Sequence, residues 1–269
     1  MVFDNASRTK SDRFICHYQG SNHVWGSFEK MEERLFVASP EAVFLQMAQR
    51  LSFVDLVELG CELCGTYAID AADGVLSDGD DVRGFASREY AITTKRRILQ
   101  YLNRADGCKG VKLARRAIQY VQDGSASPSE TMVLLALCLP RKEGGFGLPL
   151  PDMNKRVDIS PEVSRVPFGS FRKGDYCWSK AGLILEFDST AYHTGADKIT
   201  KDSIRRSELA YEGMRVITLT ASQFADFASL SALVKVLEKE LGIRKRWHIE
   251  GLGAKQRQLH RELLKRWSS

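Results

Sequence analysis

No stretch of the chain approaches ~18 uninterrupted apolar residues, so no membrane span is expected. Met1 to Arg8 lack an apolar signal core, which argues against secretion and for a cytoplasmic protein. There is no internal repeat and no low-complexity tract, so the pattern is read as ordinary globular domains. The six cysteines include one C-x-x-C, Cys61 and Cys64, and a second such pair is missing. Only Cys16 and His17 could complete a zinc site, and most thiols sit among apolar residues, as reduced core cysteines do.

What is present is ordinary in bulk and uneven in detail. The 269 residues are 43% apolar and 27% charged, enough for one large or two medium domains. The net charge is +5. Residues 244–269 hold eight Lys/Arg, including Arg244, Lys245 and Arg246, against Glu250 and Glu262, so this tail carries +6 and the remainder −1. A basic terminal segment with Trp247 and Trp267 suits a polyanion. A second reading, compatible with the first, is a helical stripe of Leu252, Leu259, Leu263 and Trp267 docking on the body with its charges solvated.

Short strands are expected over 14–18 and 35–37. Ser39 before Pro40 predicts a helix start, Ser52 with Asp55 caps a second helix running to Gly65, and Thr94 opens a third. Residues 68–92, rich in Gly, Asp and Ser, read as a loop or flap, and 111–121 as a fourth helix. Ser125 to Ser127 mark a boundary. It divides a mostly helical region (1–125) from a second domain (126–243), and the basic helical tail (244–269) follows. The second domain opens on Ser127-Pro128-Ser129-Glu130, a capping-box spacing, so Glu130 can be explained as a cap alone. From Pro128 the expected order is α-β-β-β-α-β-α, with strands at 153–159 and 215–220 and a last helix ending at Gly242.

The segment Asp175–Arg206 concentrates the chemistry. Ser179 to Gly182 are a polar break between β-branched and aromatic residues and predict a β-hairpin in which Trp178 faces Leu183. Counting outward sets Asp175 opposite Glu186, and strand alternation puts Asp188 on the face of Glu186, away from Leu183, Leu185 and Phe187. Directly opposed residues lie about 4.5–5.5 Å apart, where like charges repel. A divalent cation with oxygen ligands would relieve three such carboxylates. The alternatives are a solvated acidic face on an edge hairpin, or an ion-pair network with Arg205 or Arg206.

The strand order, an acid on the second strand and a Glu on the third resemble the PD-(D/E)xK nuclease fold. More narrowly, they resemble the very-short-patch-repair-like endonuclease domains of bacterial proteins. The residues that carry the resemblance are Asp175, Leu185-Glu186-Phe187-Asp188, His193, and Asp202, Arg205, Leu209 and Gly213, with Ser127 to Glu130 ahead of them. Residues 39–124 are similar to the middle part of abortive-infection antitoxin-type regulators. The resemblance implies an α/β (α+β) fold, a mixed β-sheet flanked by helices of the restriction-endonuclease-like type, preceded by a mostly helical N-terminal region. One position departs from the family: Asp188 stands where its E-x-K motif has lysine. His193 is the nearest replacement, as general base or as a helix cap.

The activity implied is metal-dependent hydrolysis of DNA phosphodiesters in a phage-defence setting. Asp175, Glu186, Asp188 and Glu130 would hold Mg²⁺ or Mn²⁺, and Asp175, Glu186, Asp188 and His193 would form the catalytic set. Arg205, Arg206, Arg244, Lys245 and Arg246 would contact nucleic acid, although Arg205 can also pair locally with Asp202. DNA is the expected partner, a membrane is not, and a homodimer is allowed. The competing functions are a non-catalytic DNA-binding regulator or antitoxin-like module with a degenerate site, and a toxin-like component acting on RNA.

Overall fold

The computed structural model describes residues 24–33, 35–69, 85–164, 170–189, 196–243 and 252–267, the side chains of 196–202, 252 and 267 excepted. The chain is a mixed α+β protein. The described residues begin with a small hairpin of β1 (Phe28–Glu32) and β2 (Leu35–Ala38). Two helices follow, α1 (Pro40–Met47) and α2 (Phe53–Leu63), and their starts are written in the sequence. The Ser39 and Ser52 hydroxyls accept from the backbone N–H groups of Ala42 and Asp55, which would otherwise lack a helical partner. Thr94 does the same for α3 (Lys95–Asn103).

The fourth helix, α4 (Val111–Ala117), ends sooner than the apolar pattern to residue 121 implies. The segment expected to be wholly a loop contains two short strands, β3 (Tyr67–Ile69) and β4 (Phe85–Ser87), which pair antiparallel. Residues 70–84 between them lie outside the described residues, as does the strand expected at 14–18.

The next helix, α5 (Pro128–Cys138), is the centre of the molecule. Residues 131–139 are all buried, because α5 has apolar neighbours on every side. It packs against α2 on one flank and the tail helix on another. The sheet lies beyond, in the order β5 (Asp152–Asp158), β6 (Phe171–Trp178), β7 (Leu183–Asp188), β8 (Arg215–Thr220). The first two pairings are antiparallel and the third is parallel, as the crossover through α6 (Ala196–Tyr211) requires. Trp178 pairs with Leu183, the expected hairpin register, around a 3-10 turn at Ser179–Ala181. Gly182 closes that turn at φ +59°, and a Cβ there would sit 2.7 Å from the Gly213 carbonyl oxygen.

Alternation splits the sheet into two apolar faces. Tyr176, Trp178, Leu183, Leu185 and Leu219 join the main core with α5 and α2. Cys177 and Ile184 join a smaller cluster under Leu209 of α6. After β8 come α7 (Ala221–Ala225), which the periodicity did not signal, and α8 (Phe227–Glu240). The tail helix α9 (Leu252–Trp267) belongs to the body. Leu259 and Leu263 are buried in the main core, and Arg266 pairs with Asp55 and Glu58 of α2. Leu259 and Leu263 thus dock as the expected stripe. Arg244, Lys245 and Arg246 lie outside the described residues.

Leu263 is fully buried, so Leu263→Ala should cost about 2–4 kcal/mol in a denaturant melt. An unchanged midpoint would mean that α9 does not dock.

Candidate functional site

The site is built where the β6–β7 ladder stops. Pairing runs from Trp178↔Leu183 to Tyr176↔Leu185. Continued by one step, that register would set Asp175 against Glu186, but the two strands are no longer paired there. Here a side chain replaces a ladder bond: the Phe187 N–H donates to Asp175 Oδ2 at 2.8 Å. Strand β7 keeps its parallel pairing with β8 through Asp188↔Thr220. It is thus an interior strand, and the solvated edge-hairpin reading fails.

On the other side of β6, the ladder with β5 holds one register from Met153↔Tyr176 to Lys155↔Gly174. That register sets Asn154 opposite Asp175. Asn154 has φ +47°, a left-handed conformation that asparagine tolerates better than most residues. Its amide donates to Glu130 Oε2 at 2.6 Å and to the Gly124 carbonyl at 3.0 Å. Glu130 Oε2 also accepts from the Ala126 N–H at 2.9 Å, just before the helix cap. The Ser127 hydroxyl accepts from the Glu130 N–H at 3.2 Å, so Glu130 caps its helix and also reaches toward the sheet.

The third carboxylate, Glu186, meets Arg205 of α6 at 2.7 Å, and Arg205 also donates to the Lys173 carbonyl. Arg205 is therefore committed across to the sheet rather than shown in a pair with Asp202, whose side chain is not described. This is the ion-pair alternative of the sequence reading realised at Glu186. Arg206 donates to Thr218 Oγ1 at 3.2 Å, and Arg172 pairs with the buried Glu208 at 2.5 Å, which fastens α6 to the sheet. Asp188 lies two residues beyond Glu186 on the same face of β7. His193 lies outside the described residues.

Burial dominates the electrostatics. It pushes the Glu130 carboxyl up to about 7, and the nearby Asp175 charge adds to the rise, against hydrogen bonds from Ala126, Asn154 and Ser127. Burial also raises Asp175, offset in part by the Phe187 N–H and the charge of Arg205. Among the described residues no three His, Cys, Asp or Glu side chains form a metal-holding group. The C-x-x-C thiols are buried in α2 or at its cap, and burial raises Cys61 to about 12 and Cys64 further, which suits protonated core thiols. Sequence reasoning missed Asn154, for which no local signal existed.

No protein-family model, no curated protein and no solved structure significantly matches this chain.

A raised carboxyl favours the fold at low pH. The contribution of Glu130 is fully present below its ordinary value near 4.5 and is lost as pH rises through about 7. Glu130→Gln keeps an acceptor and removes the titration. The variant should gain roughly 2–3 kcal/mol on wild type between pH 5 and pH 8 in chemical denaturation. Parallel pH profiles would refute the buried-carboxyl account.

Proposed function

We propose that residues 126–243 form a metal-dependent nuclease domain of the restriction-endonuclease-like type, acting on DNA phosphodiesters. The observation that supports this reading is the nearness of the Asp175 charge to the raised Glu130 carboxyl, with Glu186 on the neighbouring strand β7 and the guanidinium of Arg205 close to Glu186 and Asp175. A structural ion pair accounts for Glu186 and Arg205. It does not account for two further half-buried carboxyls raised above their ordinary values.

Every candidate ligand is a carboxylate oxygen, the donor a hard divalent ion takes. Among the described residues, however, no three of them form a metal-holding group with Glu186 seated on Arg205, so binding would require them to draw together. Added positive charge would favour the ionised forms of Glu130 and Asp175. Asp175 and Glu186 would hold Mg²⁺ or Mn²⁺, with Asp188 and Glu130 completing its surroundings. Such an ion, when bound, polarises the scissile phosphate and acidifies a water. Asp175 is oriented by the Phe187 N–H and keeps one oxygen for other partners. Asn154 fixes Glu130, so that carboxyl cannot swing away from the opening. Arg205, on releasing Glu186, would turn its guanidinium to the phosphate and offset the negative charge that Asp188 adds in place of a lysine. His193 is the residue we assign to proton transfer or to capping of α6.

The second reading is a DNA-binding regulator with a degenerate site. The specific observation in its favour is the Arg205–Glu186 pair, which already neutralises one ligand.

A cleavage assay on single- and double-stranded DNA with Mg²⁺ or Mn²⁺ separates the two. Wild type should cut and stop with a chelator, and Asp175→Asn and Glu186→Gln should each lose about 100-fold or more while melting as wild type does. If wild type cuts nothing with either ion, or Glu186→Gln cuts as well as wild type, the regulator stands. Cleavage confined to RNA would move the substrate class.

A further inference from the structure

The charge of the chain outside its tail nearly cancels, but the cancellation hides a strong separation. Residues 95–122 hold eight Lys/Arg against the single acid Asp106, a net +7 that exceeds the +6 of 244–269. The rest of the chain is therefore −8. This positive segment comprises α3, α4 and the turn between them, and neither helix contains an acid.

Half of these cations serve the fold. Lys95 donates to the Gln119 carbonyl, and Arg97 pairs with the buried Glu41 at 3.1 Å. Arg115 holds Asp106 at 2.6 Å and the Leu102 carbonyl at 2.7 Å, which ties α4 to the end of α3. Arg116 pairs with Glu143 and lies 4.3 Å from the Phe53 ring centroid. The other four differ. Arg96, Arg104, Lys109 and Lys112 are exposed, and among the described residues none is paired with a carboxylate. Arg104 instead lies over the indole of Trp25, 5.4 Å from its centroid, and Trp25 is 81% exposed. The helices are rigid carriers, because Ile98, Leu102, Ala114 and Ile118 are fully buried beneath them.

We propose that the α3–α4 pair, with Trp25 at its rim, is a second nucleic-acid contact surface that grips the phosphate backbone without reading sequence. Arg96 on α3, Lys112 on α4, and Arg104 and Lys109 in the turn between them, where the one acid Asp106 is held by Arg115, present the charge that a polyphosphate requires. Arg104 over an exposed indole offers a flat, cationic platform for a sugar or base. A lipid surface is disfavoured because both helices spend their apolar faces on the core and leave none to insert. The polar neighbours on the exposed stripe, Gln100 and Asn103, are hydrogen-bonding groups of the kind that meet phosphate and sugar oxygens. The inference shares with the proposed function the choice of DNA as ligand, but it does not need a competent metal site.

The test is fluorescence anisotropy on two unrelated 20-base-pair duplexes in chelator, so that cleavage plays no part. The full-length Arg96→Gln/Lys109→Gln/Lys112→Gln variant is compared with wild type across a salt series. All three side chains are exposed, and a thermal melt checks that the fold is kept. The variant should bind both duplexes about tenfold or more weakly, and its log K against log salt slope should flatten by about 2–3. Lys235→Gln/Lys239→Gln, on α8, should behave as wild type. The inference is overturned if the triple variant keeps the wild-type slope, if wild type binds neither duplex at low salt, or if anionic vesicles capture wild type more strongly than DNA does. Binding through this surface by a protein that cuts nothing would sustain the inference while removing the nuclease reading.

Discussion

One hydrogen bond, from the Phe187 N–H to the Asp175 carboxylate, marks the point where β7 leaves β6. Beyond Tyr176↔Leu185 the main chain of β7 no longer pairs with β6, and the Asp175 side chain satisfies the donor that the parting would otherwise leave unmet. β7 can then follow β8 while β6 follows β5. Asp175 and Glu186 stand just beyond the last paired residues of the two strands. Asp175 is half-buried, which disfavours its charge against the help of the bond from Phe187, and its charge in turn disfavours the ionisation of Glu130. A carboxylate that supports a fold in this way is poorly replaced by an apolar residue, because the Phe187 N–H would lose its acceptor.

The opening is braced from both faces of the sheet. On one side stands α5, whose first turn carries Glu130 and whose remaining turns are buried against α2, the sheet and α9. The Tyr176 hydroxyl donates to the Glu130 carbonyl at 2.9 Å, so helix and strand are fixed at the level of the site. On the other side stands α6, seated by Leu209 and by the Arg172–Glu208 and Arg205–Glu186 pairs. The tail helix reaches back to α2 through Arg266, so the three segments of the sequence share one main core. That arrangement gives a rigid frame for side chains that the reaction would require to be held in place.

Much of this was legible beforehand because local chemistry determined it. The Ser and Thr caps, the alternation along Leu183–Asp188 and the polar turn ending in Gly182 each constrain one conformation, and each was read at its true place. What escaped depends on partners distant in sequence. β3 and β4 exist because Tyr67 to Ile69 meet Phe85 to Ser87, not because three residues are intrinsically a strand. The left-handed Asn154 has no sequence signature, since its conformation is imposed by the ladder around it. Arg205 had a candidate neighbour on its own helix, yet Glu186 holds it from the sheet. The basic tail was ambiguous because a stripe of Leu259 and Leu263 shows that a helix docks and not where. The positive α3–α4 segment was masked by acids elsewhere that cancelled it in the sum.

The central claim is that the carboxylates at the opening are built for a cation that competes with Arg205. A crystal structure of the protein soaked in Mn²⁺ tests it most directly, because manganese scatters anomalously. The account predicts an anomalous peak between the Asp175 and Glu186 carboxylates, with Arg205 drawn away from its 2.7 Å contact. Arg205 still seated on Glu186, with no peak at that level of the sheet, would contradict it.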